Sequence, residues 1–192
     1  MTGRLTIALY NNYDPVKFAE AHRRALARAA PIALAFDCNL ATFGFPYERE
    51  LRTPVDVAKW VADSTTIGEG GKYFIELTEK GRFSNFPFPD KGLPPQLGEV
   101  IVTTRKPDER KSVDARWVAE GMLCGKSLCL LFGLGPHGLE RKWFDAAPHH
   151  LDITGKRYSL ETCTAIGAVP SVIHAYMDAL SYLSTNKQYP KR

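Results

Sequence analysis

The sequence predicts one α/β domain spanning residues 1–192, a mostly parallel sheet with helices on both faces. Two observations carry this. Apolar strand-length runs alternate with segments of helical period, and strands joined through helices pair in parallel. The 192 residues suit one domain, and 44% hydrophobic with 24% charged residues is ordinary globular composition. No apolar run approaches the roughly 20 residues of a membrane span. Met1-Thr2-Gly3-Arg4 leads straight into a strand, so no signal peptide is expected and a cytoplasmic protein is.

Leu5 to Tyr10 reads as the first strand. Asp14 before Pro15 marks a helix start, and Phe18, His22, Ala25, Leu26 and Ala29 share one side of the helix expected to end near Ala29. Ile32 to Phe36, apolar between Pro31 and Asp37, reads as a second strand. Residues 38–97 are expected to be an irregular insertion. In it, Thr53-Pro54-Val55-Asp56 opens a helix through about Asp63. Another helix over Lys72 to Lys80 stops at Gly81. Pro87, Pro89, Pro94 and Pro95 make 82–97 an ordered loop.

Regularity resumes with a strand at Glu99 to Thr103. Ser112 is expected to cap a helix from Val113 to Cys124, and Ser127 to Phe132 is the most apolar strand. A glycine turn over 133–138 leads to a short helix through about Phe144, then a strand from His150 to Thr154. The last helix starts near Ser159, with Leu160, Cys163, Ile166, Val169, Ile173, Tyr176, Leu180 and Leu183 at helical spacing. Pro170 inside it predicts a kink.

Cys38, Cys124, Cys129 and Cys163 form no C-x-x-C pair and sit in apolar company, which predicts reduced, buried thiols. His137, His149, His150 and His174 lack ligand spacing, so no metal site is expected. With 25 Lys and Arg against 21 Asp and Glu, the net charge of +4 permits a polyanionic partner. Bases cluster at Arg23-Arg24-Arg28, at Arg105-Lys106 with Arg110-Lys111, and at Lys156-Arg157. Arg82, Phe83, Phe86, Phe88 and Lys91 suit stacking on unpaired nucleotides, or else those phenylalanines pin the proline-rich loop to the body.

Gly133-Leu134-Gly135-Pro136-His137-Gly138 fits G-x-G-x-x-G after a strand, with Asp152 about twenty residues on. A dinucleotide fingerprint normally opens its domain, because two β-α-β halves must follow it. Too little chain follows Gly138 for that, Asp152 is expected within a strand, and Pro136 removes an amide that a pyrophosphate would use. A nucleotide- or dinucleotide-binding enzyme therefore remains the alternative reading. The glycines still leave main-chain groups open to a ligand, and a side chain at Gly135 is expected to fill ligand space without harming the fold. Three strand ends converge on this half: Thr103 to Pro107, Gly133 to Gly138, and Asp152 to Leu160.

A strand ending in Phe-Gly-x-Gly-x-x-Gly-Leu, then a short helix, a strand, a loop and Ser159-Leu160-Glu161-Thr162-Cys163-Thr164-Ala165, resembles the SPOUT methyltransferases. The resemblance covers about residues 98–183. Within the superfamily the chain looks most like a small archaeal family near the tRNA 2′-O-methylating branch. The resemblance implies a C-terminal trefoil knot over 98–183 whose loops hold S-adenosylmethionine. It implies RNA, and tRNA in particular, as substrate. It also implies a homodimer paired through the last helix, with an active site built from both chains. Cofactor contacts are expected from Thr103, Leu131, Phe132, Gly133, Leu134, Gly135, Gly138, Ile153, Tyr158, Ser159 and Leu160. Family use of asparagine and arginine points to Asn12, Arg23 and Arg105 as catalytic residues, with no general base evident. Two positions depart from the family pattern: Glu161 stands where Asn is usual, and Pro136 or His137 where the turn usually carries an acid. A non-catalytic RNA-binding member of the same fold is thus a further reading.

Overall fold

A computed structural model describes residues 1–14, 16–17, 20–47, 51, 53–63, 68–135 and 138–187. Pro15, Phe18, Pro136 and His137, singled out in the sequence, lie outside these residues. The strands are β1 (Leu5–Asn11), β2 (Asn39–Phe43), β3 (Phe83–Phe86), β4 (Glu99–Thr103), β5 (Ser112–Val113), β6 (Leu128–Leu134) and β7 (His149–Leu151). The helices are α1 (Glu20–Ala35), α2 (Pro54–Ala62), α3 (Glu69–Glu79), α4 (Ala115–Leu123), α5 (Arg141–Ala146) and α6 (Thr162–Lys187). The strands form one seven-stranded sheet in the order β3-β2-β1-β6-β4-β7-β5, with every neighbouring pair parallel. β6 is inserted between β1 and β4, and β7 between β4 and β5, so later strands enter gaps between earlier ones.

The period of two in each strand divides the core. Leu5, Ile7 and Leu9 of β1, with Leu128, Leu130 and Phe132 of β6, pack with residues of α1, α2, α3, α4 and α6. Ala8, Tyr10, Cys129 and Leu131 pack instead with Trp143 of α5, Ala147 and Leu97. One face thus carries five helices. Among the described residues, the other carries α5, the 3₁₀ turn at Pro95–Leu97 and irregular chain. Truncating a leucine such as Leu130, which is fully buried, to alanine costs about 2–5 kcal/mol.

Several elements differ from expectation, each for an identifiable reason. Ile32 to Phe36 is no strand, because α1 continues through Pro31 to Ala35 and the strand is Asn39–Phe43. Ala25, Leu26, Ala29, Ala30 and Ala33 are buried at helical spacing. Pro31 cannot donate to the carbonyl of Ala27. That oxygen lies against Gly70 of α3, where an added Cβ would come within 2.7 Å of it. Glycine is what lets α3 approach there.

The 82–97 segment contains β3, an edge strand ended by Pro87, and a 3₁₀ turn at Pro95–Leu97. Its aromatic residues pin it to the body. Phe83 meets Phe74 edge-on and Phe86 stacks on Phe43. The Arg82 guanidinium donates to Ala33 O and Cys38 O and pairs with Asp37 at 2.8 Å.

Ser112 and Val113 form β5, and the cap of α4 is Asp114, which accepts from Trp117 N at 2.8 Å. β7 ends at Leu151, so Asp152 stands just past its carboxyl end rather than inside it. α6 starts at Thr162, not Ser159, and runs on through Pro170. The capping box of Thr53 and Asp56 forms as expected. All four cysteines are free, but only Cys38 and Cys129 are buried. Cys124 is exposed because it ends α4 where Gly125, at φ 88°, turns the chain away.

Candidate functional site

The carboxyl ends of β4, β6 and β7 and the start of α6 enclose a cleft of about 790 Å³. That is within the usual range for a small-molecule site. Thr103, Phe132, Gly133, Leu134, Gly135, Gly138, Ile153, Tyr158, Ser159 and Leu160 all line it. Leu131 does not. It is fully buried, and its carbonyl accepts the Thr103 hydroxyl at 2.9 Å.

The turn after β6 is built against the end of β1. Asn12 N donates to Leu134 O at 3.0 Å. The Asn12 amide is satisfied when its nitrogen donates to Gly138 O at 3.2 Å and Tyr10 O at 3.3 Å. An added Cβ at Gly135 (φ 154°) would lie 2.6 Å from Asn12 O, so the space beside Gly135 is filled by backbone and is not ligand space. At Gly133 it would lie 2.7 Å from Gly138 C. At Gly138 (φ 65°) it would meet nothing within 4 Å. Two of the glycines therefore permit backbone packing, and the third permits a left-handed turn beside open space.

Two loops complete the cleft. In loop 104–111, Lys111 Nζ donates to Phe144 O and Asp145 O at the end of α5. His150 Nδ1 accepts from Asp108 N at 3.0 Å, so its Nε2 carries the proton donated to Phe144 O. This fastening holds Arg105 and Lys106 in the cleft lining, both exposed. In loop 152–161, Asp152 Oδ1 accepts from Thr154 N and its hydroxyl, and Oδ2 accepts from Arg157 N. Gly155 and Arg157 both take positive φ, and Tyr158 stands 70% exposed. Glu161 caps α6, with Oε2 accepting from Cys163 N and Thr164 N. Thr162 Oγ1 donates to Gly133 O at 3.1 Å, tying that cap to the glycine turn.

The three residues expected to be catalytic separate. Arg105 lines the cleft. Asn12 lies behind the glycine turn as its clamp. Arg23 is outside the lining, with its guanidinium 3.5 Å over the Trp60 ring and Glu20 at 3.9 Å. The neighbouring Asn11 is buried, donating to Asp14 O and Gly44 O and accepting from Tyr13 N and from His22 Nε2 at 2.9 Å. The amides of Lys17 and Val16 hold the Asp14 carboxyl below its usual range. Tyr13, Phe144, Glu161 and Thr162 line the cleft without having been singled out for it, beside Lys106 and Asp152 from the expected strand ends. Tyr13 lies just past the end of β1, whereas Phe144 sits in α5 and Glu161 and Thr162 open α6, so strand-end position could have found only the first. Among the described residues, no group of three or more His, Cys, Asp or Glu is placed to hold a metal ion, and no helix is long and apolar enough to cross a membrane.

Sheet, glycine turn and docked terminal helix recur together in solved methyltransferase structures. The chain superposes on a probable methylase family protein from Haemophilus influenzae with a TM-score of 0.63 at 14% identity, covering 100% of this chain and 73% of that one. It superposes on the SpoU methyltransferase AviRb from Streptomyces viridochromogenes, in complex with AdoMet, with a TM-score of 0.51 at 13% identity over 94% and 59% of the two chains. A structure described as giving insight into 2-OH methylation of C/U34 on tRNA matches with a TM-score of 0.55 at 15% identity over 92% and 98%. These likenesses establish the shared fold. By sequence, the chain belongs to the family described as protein of unknown function DUF531, whose model matches residues 5–174. It is 47% identical over 173 residues to Uncharacterized protein MJ0224 of Methanocaldococcus jannaschii, covering 90% of this chain and 95% of that protein.

Proposed function

We propose that the protein is an S-adenosylmethionine-dependent RNA methyltransferase of the cytoplasm, acting on tRNA. The observation that carries this is the cleft itself. Three parallel strand ends, an open glycine turn and exposed bases meet there, in a fold whose solved relatives include an AdoMet complex and a structure concerned with tRNA methylation. The residues suit the cofactor. Gly138 borders open space, while Phe132, Leu134, Ile153 and Leu160 offer apolar walls. The Gly133–Gly138 turn and Ile153–Leu160 would hold it, and it supplies an already activated methyl group.

What remains for the chain is positioning, dryness and the nucleophile's proton. Arg105 and Lys106 face a phosphate at the mouth, with Arg110 and Lys156 exposed nearby. Of the two carboxylates in the lining, Asp152 engages both oxygens in its own turn. Glu161 spends Oε2 on its cap and also bonds the Cys163 side chain, with Arg28 nearby. The Glu161 carboxylate is the acceptor we assign to the hydrogen of the attacking hydroxyl or nitrogen.

Insertion of β6 and β7 between earlier strands supports the trefoil knot. A homodimer fits α6, where Ile166 and Ile173 are buried but Val172, Tyr176, Tyr182 and Leu183 are exposed on other sides. Such pairing would bring Arg23 or Arg105 of one copy beside the cleft loops of the other. Titration with S-adenosylhomocysteine and with NAD tests the cofactor, and methyl transfer to tRNA lacking the native modification tests the substrate. Binding of NAD alone would replace this reading with the nucleotide-enzyme one. Cofactor binding without transfer to any RNA would remove the activity. Light scattering near twice the 21.4 kDa chain mass is expected for the dimer.

A further inference from the structure

Beyond Asp152 lies a second concavity of about 610 Å³, bounded by loop 104–111, the end of β5, the first turn of α4 and loop 152–157. Asp152 is the lining residue common to it and the cofactor cleft. Its apolar side is made by Val113 and Trp117, and its polar side by Glu109, Asp114, Asp152 and Arg157. Trp117 is held in place before any ligand arrives. The Trp117 ring packs against His149 with centroids 4.4 Å apart and has Lys126 Nζ 5.7 Å from its centroid, His149 is fixed by Glu99 at 2.8 Å, and the Trp117 amide donates to Asp114 Oδ1. Acceptors are left over beside it. Asp114 Oδ2 and Glu109 Oε2 make no hydrogen bond among the described residues, while Glu109 Oε1 stands 3.5 Å from Arg157.

We propose that this groove is a nucleobase subsite for guanine, carried by the nucleotide next to the methylation target. The proposal rests on the RNA reading above. A flat apolar platform beside open carboxylate oxygens suits a base that stacks and presents adjacent N–H groups. The N1–H and N2–H of guanine form such a pair, and uracil has no amino group to offer. Charge is divided in the same sense. The groove wall sets three carboxylates against the single Arg157 and is net acidic, which disfavours phosphate, whereas Arg105, Lys106, Arg110 and Lys156 lie on the loops that separate and border the two concavities. A strand with its target in the cleft can lay its backbone along those bases and turn the neighbouring base inward against Trp117.

The test uses intrinsic fluorescence of the full chain, titrated with guanosine and uridine monophosphates and with short single-stranded RNAs containing one or other base. Of the three tryptophans, Trp143 is buried and Trp60 lies under Arg23, so Trp117 is the reporter. Quenching with guanine bound about tenfold more tightly than uracil is expected, of the size a stacked base contributes. Trp117→Phe keeps the apolar packing and should remove the quench. Asp114→Asn keeps an N-cap and should lower guanine affinity while leaving uracil unchanged. Equal affinity for the two bases, or a quench that survives in Trp117→Phe, would overturn the subsite. Calorimetry with S-adenosylhomocysteine on the same samples separates the two claims. Cofactor binding with no guanine binding defeats the groove alone, and guanine binding with no cofactor binding keeps a guanine site but defeats the methyltransferase reading and the placement beside a methylation target.

Discussion

The strand ends of the two halves of the sheet are made from similar residues and are used differently. At the ends of β1 and β2, polar groups are spent inside the structure. Asn11 binds Asp14 O, Gly44 O, Tyr13 N and His22, and a Cβ on Gly44 would strike the Phe88 ring. At the ends of β4, β6 and β7 the chain closes its loops on themselves but leaves Arg105, Lys106, Tyr158 and Leu160 facing a cleft. The first half is a latch and the second a mouth. Having asparagines or glycines does not separate them. What separates them is whether another segment arrives to satisfy and cover those groups.

Gly135 is where the halves touch, so its substitution should have the largest effect. Gly135→Val places a branched side chain against Asn12 backbone at a φ unfavourable to it, costing about 3 kcal/mol or more in stability. Chemical denaturation should register that loss together with loss of S-adenosylhomocysteine binding. An unchanged midpoint would mean that the two halves are not locked at this point. Gly138→Asn is the contrast, since asparagine tolerates positive φ and the added Cβ meets nothing. There the fold should hold while cofactor affinity falls.

Glu161→Gln tests the mouth. Glutamine can still accept from the amides of α6 but cannot take a proton, so kcat should drop about a hundredfold with cofactor affinity kept. Equal loss of cofactor binding would assign Glu161 to structure instead.

Asn11→Ala tests the latch. Several buried partners lose their bonds, and about 2 kcal/mol of destabilisation is expected, or roughly 4–8 °C in Tm. Cofactor affinity of the folded protein should not move. A drop in affinity would show that the latch shapes the cleft.

The double replacement of Arg105 and Lys106 by alanine should leave Tm unchanged. It should weaken RNA binding about tenfold and lower the salt dependence by about two phosphate contacts. Smallest of all is the expected difference between the halves at their cores. Burial pushes the thiols of Cys38, beside β2, and Cys129, in β6, up to about 12. Any stability tied to these protonated thiols is present below the unfolded value and is lost only as pH rises toward 12. At pH 8 an alkylating reagent should therefore modify exposed Cys124 first and spare both core thiols until unfolding. Unequal protection of Cys38 and Cys129 would place part of the contrast in the core.

By itself the sequence determined the features that depend on near neighbours. The apolar runs of β1, β4 and β6, the Thr53–Asp56 capping box, the Gly81 stop and the clustering of cofactor candidates at three strand ends all follow from residue type within a few positions. Tertiary structure decided the rest. α1 passes through Pro31 because Gly70, far away in the chain, leaves room for the orphaned Ala27 carbonyl. Ser112 and Val113 became a strand because β7 lies alongside, and β3 formed because β2 did. Asn12 became a clamp because β6 was inserted next to β1, and Arg23 lay over Trp60 because α2 packs there. Glu161 entered the cleft because Thr162 ties the start of α6 to Gly133. Local pattern encodes which side of an element prefers to be dry. Whether a given donor, acceptor or charge is then consumed or left free depends on partners that sequence distance does not reveal.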